Sequence, residues 1–289
     1  MAMGSVWRVG LVVALGVLTL APGVGAPRVG AQPVSAEQVA AILASADRTP
    51  GDRTNDLRRK PQDLLTFYGV RPGIVAVDLF AGGGYTTELV ARAVGPGGAV
   101  YGQSRPPVAN APRPAQPEGN SNPLIVTPAP AAPPVFRPSP EALALRVERM
   151  NAAGVAVAPI TAVVRPFEDP FPAELAEGKV DMVTLIFNYH DLGHMGADRA
   201  AMNRAVFKAL KSGGTYILAD HSGRPGTGIS EAGTLHRIEE AFLRQEVEAA
   251  GFKLVAEGHF LRNPADPRDK NTPDPPMPKD EFVLKFAKP

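Results

Sequence analysis

The chain has no cysteine, which excludes disulfide cross-links, thiolate nucleophiles and zinc sites built on Cys. It also lacks an excess of either charge. Thirty Lys and Arg face 29 Asp and Glu, a net charge of +1, so nothing electrostatic favours nucleic acid or an anionic membrane as a general partner. Apolar runs are short as well: Val9 to Ala21 falls below the about 20 residues that a membrane-spanning helix needs. What is plentiful is proline and glycine, 31 and 29 of 289 residues. Together they stay under the roughly 25–30% of a low-complexity chain, and with 44% hydrophobic residues a globular domain is expected.

The amino terminus predicts export. Arg8, the apolar run Val9 to Ala21, Pro22, and the small-x-Ala sites ending at Ala26 and Ala31 have the layout of a secretory signal peptide. The expected organisation is a signal peptide over 1–31, a helical cap segment over 32–60 and one domain over 61–289. A soluble periplasmic or extracellular protein without a stable membrane anchor follows.

Ser35 with Gln38 reads as a capping box opening a helix, and Pro61 starts another whose buried face is Leu64, Leu65 and Phe67. Ile74 to Leu79 has the continuous apolar character of a strand covered on both faces. A glycine turn, a helix over Tyr85 to Val94 and a strand at Ala99 to Tyr101 come next. Periodicity is then lost between Gln103 and Pro140, where 12 prolines fall in 38 residues; this insertion is expected to be an extended loop, either solvated or lying over a ligand. A helix from Ser139, strands at Ile160–Val164 and Val180–Phe187, a helix at Asp198–Leu210, a strand at Thr215–Ala219 and a helix at Leu235–Ala250 complete the alternation. Two last strands, Phe252–Phe260 and Phe282–Phe286, have no helix between them. The prediction is an α/β fold: a mostly parallel seven-stranded sheet closed by an antiparallel hairpin.

Asp78-Leu79-Phe80-Ala81-Gly82-Gly83-Gly84 between a strand and a helix puts glycines where backbone can approach a ligand closely, although such a turn also serves plain helix–strand packing. With the turn Leu210-Lys211-Ser212-Gly213-Gly214, this segment resembles the S-adenosylmethionine-dependent methyltransferases of the Rossmann-like class. More narrowly, Ala81 to Glu88, Asn188-Tyr189-His190-Asp191 and Asp220-His221 with Leu235-His236-Arg237 are similar to a group of predicted methyltransferases that carry signal peptides. The resemblance implies a three-layer sandwich and S-adenosylmethionine held by Asp78, Ala81, Gly82, Gly83, Gly84 and Asn188. It also implies a ribose contact at Gln103, where the family has a carboxylate, and an adenine contact at Glu168. Phe80 stands where the family motif has Gly.

Ligands of open α/β sheets bind beyond the carboxyl ends of the strands. His190, His194, His221 and His236 all leave that edge, with Asp191 and Asp220 beside them. They can act as acid/base groups or simply cap strand ends through backbone bonds. For methyl transfer to a small molecule the chemistry is expected at His190, Asp191, His221 and Tyr189, with His190 and Asp191 as general base and Tyr189 and Asn188 orienting the acceptor, while Asp220, His236 and Arg237 would orient the base or bind substrate. The rival use is a zinc or other divalent ion on His190 and His194 with Asp191, Asp220, His221 and His236; Gly193 between the first two opposes their sharing one helix face, so metal is the lesser expectation. Arg53, Asp56 and Arg59 belong either to a lid over this edge or to ordinary solvated surface. The competing reading is an extracytoplasmic ligand-binding or metal-dependent protein that keeps the fold and has lost the cofactor.

Overall fold

The computed structural model describes Met1 and residues 32–107, 137–271, 273 and 277–289. The expected signal peptide, Met1 aside, and most of the Pro-rich insertion lie outside the described residues. The domain holds seven strands, β1 (Val75–Asp78), β2 (Ala99–Ser104), β3 (Ile160–Val164), β4 (Val180–Ile186), β5 (Leu210–His221), β6 (Lys253–Gly258) and β7 (Glu281–Ala287). They form one sheet in the order β3-β2-β1-β4-β5-β7-β6. Neighbours are parallel from β3 to β5, and β7 runs antiparallel to both β5 and β6. The order reverses at β1, between β2 and β4, and that switch point is where open sheets leave a crevice.

Helices cover both faces. On one lie α1 (Ala36–Ala44), α3 (Pro61–Tyr68) and α4 (Tyr85–Val94); on the other lie α7 (Arg199–Ala209) and α9 (Glu240–Ala249). The alternation of strand side chains separates the two cores. Val77, Val183, Leu185 and Leu218 join Met202, Val206 and Leu243, whereas Ala76, Met182 and Ile217 join Leu64, Leu65 and Leu89. Among the described residues no helix is long and apolar enough to cross a membrane.

The capping box of α1 is present: Gln38 N donates to Ser35 Oγ and Ser35 N donates to Gln38 Oε1. The segment before the domain adds a further helix, α2 (Pro50–Arg59), with its own box of Thr49 and Asp52. Lys60, at φ +43°, ends α2 and starts α3. That left-handed residue folds α2 back over the carboxyl edge of the sheet.

Two expected elements differ. The helix expected over Leu235–Ala250 is two helices, α8 (Ala232–Leu235) and α9. They are separated by His236 at φ +51° and by a parallel bridge between Ser222 and Ile238. Lys211 to Gly214, expected as a turn, are part of β5 because Leu210 already pairs with Val180. His190 leads into α6 (Asp191–His194), and α5 (Ser139–Ala152) follows the insertion.

Candidate functional site

Asp78 ends β1 and is buried. Its carboxylate accepts from Thr87 Oγ1 at 2.6 Å and from Thr184 Oγ1 at 2.8 Å, which ties β1 to α4 and β4. Burial pushes its pKa up to about 6 against the opposing effect of the two hydroxyls. Beyond it the chain turns through three left-handed residues, Phe80 (φ +56°), Gly82 (φ +51°) and Gly84 (φ +77°). Ala81 N donates to Gln103 O, and Gly84 N donates to Ala81 O.

The three glycines have different reasons to be there, and for Gly82 the reason is its left-handed backbone. A Cβ on Gly84 would meet Leu143 Cδ2 at 2.7 Å and Arg146 Cδ at 2.9 Å, so that position is set by packing of α5. Gly83 has no such neighbour: a Cβ there meets nothing within 4 Å, and its φ lies outside the left-handed region. Neither packing nor backbone conformation demands glycine at 83. What the absent side chain leaves is open space over exposed backbone at the start of α4, at the sheet's switch point. The turn therefore fits a ligand that approaches its backbone closely.

A charge cluster holds the turn from behind. Glu88, 1% exposed, accepts from Arg92, Arg146 and Arg149. Arg146 also binds Asp52 of α2 at 2.8 Å and donates from Nε to Gly83 O, and Arg92 pairs with Asp47. Three carboxylates and three guanidinium groups thus join α2, α4 and α5 around one carbonyl of the turn. Sequence reasoning missed this cluster, whose members are spread from residue 47 to residue 149.

Gln103 does not face the crevice. It is 0% exposed; its Oε1 accepts from Phe80 N and its Nε2 donates to Arg165 O. Both ends of the amide are spent on backbone, so the expected ribose contact gives way to a structural tie under the turn. Phe80 takes a left-handed conformation that favours glycine, and its ring packs against Phe167 at 5.0 Å. Glu168 is exposed and accepts from Asp198 N at 2.9 Å, at the entry to α7.

The four expected histidines do converge. From the turn outward a row of rings and cations crosses the edge of the sheet. Arg59 lies over Tyr85 (5.3 Å) and Phe187 (4.9 Å), Phe187 stacks on His221 (5.3 Å), and His190 sits between His221 and His236 at 5.5 Å from each. His194 ends the row, 6.0 Å from His236. The segment with Arg53, Asp56 and Arg59 is the cap. Asp56 binds Arg48 and receives the hydroxyl of Tyr85 at 2.6 Å, while Arg53 stays at the surface on the carbonyls of Leu43 and Ser45. Among the described residues no carboxylate pairs with Arg59. Burial and the adjacent Arg58 lower its pKa to about 10, which leaves it charged at neutral pH.

His190 is fully buried. Asp220 Oδ1 lies 2.6 Å from its Nδ1, and Asp191 Oδ1 lies 3.2 Å from its Nε2. Burial alone would lower the pKa of this ring, but the two carboxylates outweigh it and push the value up to about 10. The ring therefore carries its proton at neutral pH and is not the general base expected of it. Asp191, half-buried, presents the same Oδ1 to His236 Nδ1 at 3.4 Å and to His194 Nε2 at 4.0 Å. His221 meets Glu281 at 2.9 Å, a contact set by the pairing of β5 with β7.

Two expected site residues face the interior. Tyr189 is 0% exposed; its hydroxyl donates to Glu246 and accepts from Asn203, both at 2.9 Å, so it packs among the helices of one face and orients no acceptor. Arg237, also 0% exposed, binds Asp266 and the carbonyls of Ser222 and Lys270. It locks the loop after β5. Asn188 is half-buried and donates to Ile186 O.

No family model and no curated protein sequence matches the chain. Solved structures do. Geranyl diphosphate C-methyltransferase from Streptomyces coelicolor A3(2), solved with Mg2+, geranyl diphosphate and S-adenosyl-L-homocysteine, has a TM-score of 0.50 at 12% identity and covers 90% of each chain. The fold is that of the Rossmann-like methyltransferases. An S-adenosylmethionine-dependent methyltransferase from Aquifex aeolicus matches at 0.48 and 15% identity, over 84% of this chain and all of that one. An arsenic(III) S-adenosylmethionine methyltransferase from Chlamydomonas reinhardtii matches at 0.48 and 14%, over 87% and 73%. At these identities the likeness is one of fold.

Proposed function

We propose that this protein transfers a methyl group from S-adenosylmethionine to a small molecule. The cofactor would lie on the Gly82–Gly84 turn and the acceptor before the histidine row. The observation that carries the reading is the open, exposed backbone at Gly83, where a Cβ would meet nothing within 4 Å, at the switch point of a sheet with the methyltransferase strand order. When bound, S-adenosylmethionine supplies a methyl group on a sulfonium, ready for attack by a lone pair.

The chain's own residues supply position and charge. The turn offers backbone to the cofactor, braced by Asp78 and by Gln103 beneath it. The α2 cap, with Arg59 over Tyr85 and Phe187, places a cation where an anionic part of the acceptor would rest. Asp191 Oδ1, shared by His190, His194 and His236, receives the proton that the acceptor gives up, with the half-exposed His236 passing it to solvent. His190, held as a cation, keeps that carboxylate in place, and Asp220 and His221 fix His190. The reading includes export, which rests on the pattern from Arg8 to Ala31, and membership of the signal-peptide-bearing group, which rests on Asn188 to Asp191 and Leu235 to Arg237.

Equilibrium dialysis of the purified protein against methyl-labelled S-adenosylmethionine tests it. Saturable retention of one equivalent, lost in Gly83→Asp while the circular dichroism is unchanged, is expected. No saturable retention by the unaltered protein would overturn the proposal.

A further inference from the structure

His190, Asp191 and His236 each offer one ligand atom, and the three atoms lie within 4.8 Å of one another. We infer that these residues form a binding site for a divalent first-row transition-metal ion of the zinc class. The inference goes beyond methyl transfer: with the ion bound, Asp191 and His236 are its ligands in place of the proton relay of the metal-free site.

The spacing is that of a coordination shell. Bonds of about 2.0–2.1 Å in a tetrahedral zinc site place neighbouring ligand atoms about 3.4 Å apart. Asp191 Oδ1 stands 3.2 Å from His190 Nε2 and 3.4 Å from His236 Nδ1, so two edges of the tetrahedron are already in place. The outer support is present as well. A ligating histidine characteristically donates its second ring N–H to a carboxylate, which fixes the tautomer and aims the other nitrogen at the metal. His190 Nδ1 has that partner in Asp220, at 2.6 Å. Asp220 is itself immobile, because its other oxygen accepts from His190 N and Oδ1 accepts from His221 N.

Two short helices bring the ligands together. A Cβ on Gly193 of α6 would meet Ile229 at 2.7 Å and Ala232 of α8 at 3.3 Å, and a Cβ on Gly233 of α8 would meet His194 Cβ at 3.3 Å. Glycines at both positions let α6 and α8 touch, and the left-handed His236 that ends α8 then swings its ring to Asp191. The objection drawn from Gly193 concerned His190 and His194 on one helix face; here the third donor comes from a different segment. His194 Nε2, 4.0 Å from Asp191 Oδ1 and exposed, is within reach as a fourth donor.

Donor chemistry selects the ion. Two imidazole nitrogens and one carboxylate oxygen suit zinc, cobalt or nickel, whereas magnesium and calcium call for oxygen sets. Three protein donors also leave a position for water or for an oxygen or nitrogen of an acceptor, the composition of a catalytic zinc site. The ion needs a bare ring nitrogen and an ionised carboxylate, so any proton on these ligand atoms is released to solvent as it binds.

The test is calorimetric titration of Zn2+ into untagged, chelator-stripped full-length protein at neutral pH, with Co2+ absorbance as a second readout. One equivalent of Zn2+ should bind saturably, Mg2+ should give no comparable isotherm, and Co2+ should develop visible ligand-field bands. Asp191→Asn and His236→Asn should each weaken Zn2+ at least tenfold and remove those bands. Asn tolerates the left-handed backbone at 236, so this second variant preserves the fold while deleting the imidazole. No saturable Zn2+ binding by the unaltered protein, or unchanged affinity in both variants, would overturn the inference.

Discussion

Glu88→Gln is the most revealing single perturbation of the architecture. Glu88 is 1% exposed and accepts from three arginines, in a cluster whose three carboxylates balance three guanidinium groups. The substitution leaves one uncompensated positive charge in a buried site, which costs about 3–5 kcal/mol. The lower figure applies. Arg92 keeps Asp47 and Arg146 keeps Asp52, while the Arg149 side chain, 26% exposed, can turn toward water. About 3 kcal/mol corresponds to a fall of about 6–12 °C in melting temperature for a domain of this size. Calorimetric melting and urea denaturation measure it, and Glu88→Gln/Arg149→Met, which restores charge balance, should recover part of the loss. Because Arg146 also holds Gly83 O, the single variant should weaken cofactor binding in parallel. A loss under about 1 kcal/mol, the range of exposed pairs, would refute the view that this cluster clamps α2 and the turn.

Two further predictions concern the periphery of the site. Tyr189→Phe removes a buried hydroxyl from Glu246 and Asn203 and should lower stability by about 1–3 kcal/mol, measured by urea denaturation, without changing the affinity for S-adenosyl-L-homocysteine; a change in that affinity would return Tyr189 to the site. The pKa values of Asp47 and Asp52 lie below the ordinary 3.8: burial alone would raise them, but Arg92 and Arg146 respectively more than compensate. Depressed folded values contribute stability that is present above pH 3.8 and lost as the pH falls through them, so the melting temperature should drop in that acid range, and Asp52→Asn should flatten the drop.

The sheet was legible because β1 and β4 carry nearly continuous apolar runs and strands alternate with helical segments along the chain. The antiparallel pair β6 and β7 followed from the missing helix between Phe260 and Phe282. The helix α2 escaped notice because what it buries is Asp52 and Arg58; no apolar stripe marks it, and its capping box carries Asp where the usual pattern has Glu or Gln. Topology alone placed the histidines at one edge. Their chemistry was not legible, since the state of His190 depends on Asp220 thirty residues away, and the burial of Tyr189 and Arg237 depends on side-chain direction at strand exits. Gln103 looked like a ligand residue by alignment of motifs, yet its amide is spent on Phe80 N and Arg165 O, partners that only the packed turn brings near.

The central claim is that Gly83 is glycine to admit a ligand. Calorimetric titration of S-adenosyl-L-homocysteine into the unaltered protein and into Gly83→Ala tests it most directly. Alanine fits the backbone and the space at 83, so folding stability should hold or rise by about 0.4–1 kcal/mol, while affinity should fall at least tenfold because the methyl group keeps the ligand off the backbone. Absence of binding by the unaltered protein, or equal affinity in Gly83→Ala, would contradict the account.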